Sequence, residues 1–418
     1  MTNSVAFIES HRMDEKDFTR NRCLTLPVLI NYCLNMVKGN TQSELNRFFQ
    51  IRDQSDVPRP TVTAAAFFKA RMKFSATAFI DLNWDVINHF YQTVHADTWN
   101  GQRVLAVDGV KYHLPDEEAI HTEFGGQSNQ HTDEVPMALG SALYDIHQKI
   151  IIDAQLFPYR SDEREIAFKH LEATQAGDLI LYDRGYPAFW LIAAHQFYQR
   201  DWCMRVKADF NTEVSQFVAS GAKQQIVTLT ASNEAKRKCL DKGLPIEPQT
   251  VRLIRITVKN KVYYLMTNLL DTRRYPVQAF KALYHSRWHI EEGYKRQKSW
   301  LEIENFTGKS VLSVQQDYHA RILSLNLTAI AVFAAQRHPD QTLPHRKYRY
   351  QINFAQALST MKDTIVKCLY GLISMRGYKQ LVETIRQSLT IIRPDRSFER
   401  KKSSSSRKKF NPCYKRML

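Results

Sequence analysis

"RVLAVDGV", Arg103 to Val110, is the stretch on which the fold turns. It is a short apolar run closing in Asp-Gly, and it reads as a buried strand. Further along, "PMALGSALYDIH" and "KIIIDAQLFPY" read as two more strands joined by a tight connection. "SDEREIAFKHLEA" has helical apolar spacing, early acids and an N-cap serine, Ser161. "GDLILYDRGY" is a strand ending in Asp-Arg-Gly, "PAFWLIAAHQFYQ" a helix and "WCMRVKAD" another strand. Three strands, a helix, a strand, a helix and a strand predict an α/β layer with a mixed sheet.

From this centre the domain plan extends both ways. Residues 1–97 read as a helical N-terminal domain, in which "TQSELNRFFQ" places Thr41 and Glu44 at capping-box spacing. A Pro-containing loop and a second helix bearing Lys69, Arg71 and Lys73 could form a helix-turn-helix reader of DNA; an ordinary helical bundle with basic surface residues fits equally. Residues 98–210 hold the first part of the core. Residues 211–270 form a β-rich insertion ("KQQIVTLTAS", "TVRLIRITVK", "KVYYLMTNLL") whose one helical candidate is "NEAKRKCLDKG". The core resumes over 271–338, beginning with a helix over 276–300. A C-terminal helical region follows over 339–392, then a basic, disordered tail over 393–418.

Composition narrows the function. The chain has 418 residues, 44% hydrophobic and 11% aromatic, enough for sizeable cores in two or three domains. Its formal net charge of +16 points to a polyanionic partner, nucleic acid before a membrane surface. Between Arg393 and Leu418 stand ten Lys/Arg and two Asp/Glu, so the tail carries half of that excess. Its Arg400, Lys401, Lys402, Arg407, Lys408 and Lys409 suit contact with phosphates; a merely solubilising tail is the plainer alternative. No basic region followed by an apolar run opens the chain, so no signal peptide is expected. "ILSLNLTAIAVFAA", Ile322 to Ala335, is too short to span a bilayer and reads as a buried helix. The six cysteines are scattered with no C-x-x-C pair, which predicts neither disulfides nor a zinc site and makes a reducing cytoplasm the default.

The chemistry concentrates in "LYHSRWHIEEGYKRQKSW", Leu283 to Trp300. On an ideal helix with Tyr284 at zero, Arg287 falls near about −60°, Glu291 near about −20° and Lys298 near about −40°. Glu292, His285 and His289 lie off that face. Phenol, guanidinium, carboxylate and ammonium in one stripe can hold a metal ion while gripping phosphates. One carboxylate is a poor Mg²⁺ site, and two strand-borne aspartates offer themselves: Asp108 in the first strand and Asp183 in "LYDRG". Brought together, the three acids would repel unless a cation sat among them.

Tyr284-x2-Arg287-x3-Glu291-x6-Lys298 resembles the Tyr-Arg-Glu-Lys signature of DDE transposases, in the insertion-sequence-four group of bacterial mobile elements. "VDGVKYHLPD" and "LYDRGY" resemble that family's two aspartate regions, and "DEREIAFKHL", "ENFTGKS" and the "RSFERKK…YKR" tail resemble further family segments in the same order. The resemblance implies a ribonuclease-H-like mixed sheet with helices on both faces, interrupted by the β-rich insertion. It implies Asp108, Asp183 and Glu291 as catalytic ligands of Mg²⁺, with Mn²⁺ substituting and two ions in place. It implies Tyr284, Arg287 and Lys298 on the phosphates of double-stranded transposon-end DNA, with target DNA as second substrate. It further implies a homodimer in the end-paired complex, and a cytoplasmic, nucleoid-associated bacterial protein without membrane contact. Some family members pass through a hairpin in which an aromatic residue stacks on a flipped base; the insertion has no Trp, leaving Tyr263 and Tyr264 as candidates.

Two other functions stay in view: a catalytically silent DNA-binding protein derived from a transposase, and a structure-specific nuclease of the same fold. Blander roles are also open to single residues. Glu291 could be a solvated glutamate paired with Lys295, and Asp108 and Asp183 could be turn aspartates. His285 and His289 have zinc-like spacing but no third ligand, while His113, His121 and His131 have no ligand-like spacing. Arg184 and Tyr186 are as apt to brace the site as to touch DNA.

Overall fold

The computed structural model describes residues 2–20, 22–129, 132–258, 261–336 and 349–392. Five helices open the chain: α1 (Val5–His11), α2 (Leu26–Leu34), α3 (Thr41–Arg52), α4 (Ala64–Arg71) and α5 (Thr77–Thr93). Next come β1 (Arg103–His113), α6 (Glu118–Phe124), β2 (Gly126–Asn129), β3 (Thr132–Asp145) and β4 (Ile150–Pro158). They are followed by α7 (Glu163–His170), β5 (Asp178–Tyr182), α8 (Phe189–Tyr198) and β6 (Asp201–Val206). The insertion supplies α9 (Thr212–Ser220), β7 (Gln224–Leu229), α10 (Asn233–Asp241), β8 (Gln249–Val258) and β9 (Lys261–Thr267). Then follow α11 (Val277–Ser286), α12 (His289–Lys295), a π-helical stretch Arg296–Trp300, α13 (Val311–Gln336) and the C-terminal helices α14 (Phe354–Met361), α15 (Thr364–Leu369) and α16 (Met375–Gln387).

The chain divides into two compact units, one of residues 1–92, 112–138 and 295–418, the other of residues 93–111 and 139–294. In the second unit the strands run β4-β3-β1-β5-β6-β9-β8-β7. A three-strand meander followed by β5 and β6, each parallel to its predecessor in the sheet, is the ribonuclease-H order. The sheet is mixed and has helices on both sides. Its centre is dry: Val104 to Val107 of β1 and all of β5 are buried, as continuous apolar runs demand.

The insertion is more closely joined to the core than its sequence suggests. β9 pairs antiparallel with β6, from Cys203↔Thr267 to Val206↔Tyr264, so β9, β8 and β7 lengthen the core sheet. It also holds a second helix, α9, which the reading of one helical candidate missed. Asn211 caps α9 by accepting from the Val214 N–H at 2.9 Å, and Gly221 ends it at φ +66°, left-handed backbone that glycine adopts without a Cβ penalty.

In the first unit α13 is the core helix and packs against α2, α14 and α16. It is long and apolar enough to cross a membrane by length and composition, but 72% of its most apolar window is buried inside the protein. Two capping expectations shift by one residue. Asn40, not Thr41, caps α3, accepting from the N–H groups of Gln42 and Ser43. Glu44 reaches farther back, to the N–H groups of Lys38 and Gly39. In the second unit Asp162, not Ser161, caps α7.

Candidate active site

Asp108 stands where the buried run of β1 ends, and Asp183 directly follows β5. The two strands are parallel neighbours with Ala106 opposite Leu181. Carried two residues on, that register sets Asp108 beside Asp183 at the carboxyl ends of adjacent strands, where open α/β sheets form their sites. The Asp108 Oδ1 accepts from the Gly109 N–H at 2.9 Å. The Glu163 carboxylate packs close over Gly109: a Cβ on residue 109 would lie 2.8 Å from the Glu163 Oε1, so a side chain there would displace that carboxylate.

The helix expected over 276–300 is broken. α11 ends at Ser286, a turn at Arg287–Trp288 intervenes, α12 ends at Lys295 and a π-helical stretch follows. An unbroken turn of about 100° per residue therefore does not hold across the stripe. Its first two members nonetheless meet the two aspartates in the second unit, and the third, Glu291, meets Arg287. Tyr284 donates its hydroxyl to Asp183 Oδ1 at 3.3 Å. Arg287 places one terminal nitrogen 3.4 Å from Asp108 Oδ2 and the other 3.4 Å from Glu291 Oε1. Arg287 is 4% exposed, and its Nε is buried with no hydrogen-bond partner. Glu291 pairs with this arginine rather than with Lys295.

The electrostatics are those of a crowded acidic site built around one guanidinium. Burial raises the Asp108 carboxyl to about 6, against the opposing pull of Arg287 and the Gly109 N–H; Glu163 and Glu291 push it up further. Burial likewise raises Glu163, with Asp162 and Asp183 adding to the shift and Lys111 opposing it. Desolvation works against the Arg287 cation, yet Tyr284, Asp183, Asp108 and Glu291 together hold it above its ordinary value. Among the described residues no three His, Cys, Asp or Glu side chains converge closely enough to hold an ion as they stand. The donor set is nevertheless all carboxylate oxygen, and Arg287 is a stand-in cation bridging two of the three acids. These residues therefore suit a hard divalent ion in chemistry.

A model of the transposase DDE domain matches residues 99–327 of the chain. The chain belongs to the DDE transposases. It is 25% identical over 347 residues to transposase InsG for insertion sequence element IS4 of Escherichia coli strain K12, covering 81% of this chain and 75% of that one. Putative transposase InsZ of the same strain is 26% identical over 90 residues, 21% of this chain and 30% of that. Two solved structures resemble it distantly. One is a piggyBac transposase synaptic complex with hairpin DNA (TM-score 0.44, 10% identity, 95% of this chain, 83% of that). The other is a Mos1 transposase paired-end complex (TM-score 0.19, 11% identity, 67% and 82%). Both are too remote to place any residue here. Membership makes this transposase a DDE-type nucleotidyl-transfer enzyme, in a family that generally uses divalent metals.

The remaining expected DNA contacts of the transposase fare unevenly. Lys298 lies in the first unit, paired with Glu304 at 3.1 Å and lying 5.2 Å from the centre of the Tyr112 ring. Lys69 is exposed and lines a basic pocket with Lys16, Arg20, Arg22 and Lys73, the last bonded to Asp17. Arg71 must be withdrawn as a DNA contact. It is 1% exposed and spends its donors on Asp317, Gln316, Thr307 and the Ser313 carbonyl. Arg400, Lys401, Lys402, Arg407, Lys408 and Lys409 lie outside the described residues.

The flanking aromatics sort by partner. The Arg205 guanidinium lies 4.5 Å from the Tyr263 ring centre and 3.9 Å from Asp183 Oδ1, while Tyr264 packs edge-on against Phe217. Sequence reasoning missed Arg205, whose signal is a cation in the otherwise buried strand "WCMRV". It missed Glu163, present only as part of a family-like segment. It also passed over Trp288, 52% exposed in the turn beside Arg287. Tyr186 is buried against Tyr182, which makes it a brace, and Arg184 is exposed.

Proposed function

We propose that this transposase binds the terminal inverted repeats of an insertion sequence, cleaves the DNA strand at their boundary and joins the freed end to target DNA. The observation that carries the reading is the register that sets Asp108 beside Asp183 on adjacent strand ends, with the Arg287 guanidinium tying Glu291 to Asp108. Asp108, Asp183 and Glu291 would hold Mg²⁺ or Mn²⁺, most naturally two ions. When bound, such ions supply charge neutralisation at the scissile phosphodiester and acidify the attacking water or 3′-hydroxyl.

The chain's own groups do the rest. Arg287 offsets the repulsion between Asp108 and Glu291, Tyr284 donates to Asp183, and both offer the same donors to a strand's phosphates. Lys298 adds a point charge, and Lys69 with its basic neighbours is suited to duplex phosphates. Trp288 presents an open ring for stacking on a base, a use for which Tyr263 and Tyr264 are already partly spent on Arg205 and Phe217. Pairing two ends calls for two copies of the chain, acting on DNA in the bacterial cytoplasm.

The test incubates purified protein with Mg²⁺ or Mn²⁺ and DNA bearing the candidate inverted repeats, with Glu291→Ala beside it. Cutting at the repeat boundary and joining to a plasmid, both lost in the variant while binding persists, is the expected result. Cutting without joining would move the reading to a nuclease. Specific binding with no cutting by intact protein would move it to a silent DNA-binding derivative.

A further inference from the structure

Asp108 is gripped by its main chain as well as by its carboxylate. Its carbonyl oxygen accepts a hydrogen bond from the Tyr294 hydroxyl. Tyr294 is buried and stands on α12 three residues beyond Glu291, so both project from one face of that helix. The next residue back, Gly293, brings the helix close to β3: a Cβ there would stand 3.3 Å from the Tyr144 ring. The helix that presents Glu291 is thus packed by Gly293 and latched by Tyr294 to the very residue that Glu291 must face.

A second group approaches the same carbonyl. The Ser141 hydroxyl lies 3.4 Å from it and 2.9 Å from His170 Nε2, and His170 Nδ1 lies 2.7 Å from Asp153 Oδ2. The order serine, histidine, aspartate is that of a hydrolytic triad, but Ser141 is 2% exposed and His170 1%, with no room for a substrate. Ser141 has one proton, and the nearer imidazole nitrogen is the better acceptor. Tyr294 is therefore the principal donor to the Asp108 carbonyl.

We propose that Tyr294 is a positioning residue that sets the separation of Glu291 from Asp108 and so tunes this chain's affinity for its divalent ion. It touches neither DNA nor the reacting atoms; it acts through the helix it pins. Sites of this kind tolerate errors of only about 0.5 Å in the placement of their groups. The inference rests on Asp108 and Glu291 being the ligands, so the experiment carries a control for that premise.

Tyr294→Phe removes the hydroxyl and keeps the buried ring. In the full chain, Mn²⁺ affinity read by calorimetry is expected to weaken by about 10-fold, the loss typical of groups that orient ligands. Cleavage at saturating end DNA should fall by a similar factor and recover as Mn²⁺ is raised, while end-DNA affinity stays unchanged. Wild-type Mn²⁺ affinity and rate in Tyr294→Phe, with Glu291→Gln inactive in parallel, would overturn the positioning role alone. Normal cleavage by Glu291→Gln would remove the premise and this inference with it. Loss of the fold, or a parallel loss of DNA binding, in Tyr294→Phe would assign the hydroxyl a structural role instead.

Discussion

Asp108 shows how a single side chain stores the cost of a site. Its carboxyl is raised from 3.8 to about 6, burial being the largest cause. A raised carboxyl binds its proton more tightly in the folded chain than in the unfolded one. It therefore favours folding below its unfolded value, and that support is lost as pH climbs from 3.8 through about 6. Asp108→Asn is accordingly expected to stabilise the protein at pH 8, by at most on the order of 3 kcal/mol, and to do little at pH 3.5. Urea unfolding of both proteins at the two pH values measures it; an equal change at both would trace the effect to something other than the buried charge. The three candidate acids stood out in the sequence because each occupies a marked place: Asp108 and Asp183 close apolar runs, and Glu291 follows Tyr284 and Arg287 at spacings that an ideal helix would place on one face. Arg71 was not legible, since its partner Asp317 lies far along the chain and only folding reveals that its charge is spent. Tyr294 was hidden for the same reason: its hydroxyl meets a carbonyl on a strand nearly two hundred residues earlier.

Elements were easier to find than to bound. The strands of the core were legible from their apolar runs, because a strand buried on both faces needs them. The two short elements α6 and β2 were not, because few apolar residues mark them; α9 was missed although Val214, Phe217 and Val218 fall at helical spacing after Asn211. The helix over 276–300 was read as one piece, since periodicity does not register a turn at Arg287–Trp288 or a π-helical end. Such departures cluster where function bends local rules. The start of α3 offers a direct check on bounds. Asn40 is the side chain that satisfies the first N–H groups, and Thr41 is already helical. Asn40→Ala is expected to cost about 1 kcal/mol of stability and Thr41→Ala only a few tenths, read from denaturant midpoints. A larger loss at Thr41 would return the cap to the residue that spacing alone suggests.

At the scale of the whole molecule the governing quantity is charge. The chain carries +16, and residues 393–418 supply half of it from ten cations and two acids. Shape cannot distribute that charge by itself, because part of the basic inventory is consumed internally: Arg71 on Asp317, Arg103 on Asp178, Arg252 on Gln224 and main-chain carbonyls. Cations so used release no counterions when DNA binds, and only the remainder sets the salt dependence. A chain ending at residue 392 should keep its fold and its active site yet lose much of its electrostatic grip. Each phosphate contact removed lowers the slope of log affinity against log salt by about 0.9, so the truncated protein is expected to lose roughly 3 to 9 from that slope. Lys69→Ala should remove close to one contact on the same plot, and its effect should persist in the truncated chain if the two surfaces act independently. An unchanged slope on truncation would mean that the tail keeps the protein soluble without touching DNA, and that the basic pocket around Lys69 and the active-site cations carry the duplex alone.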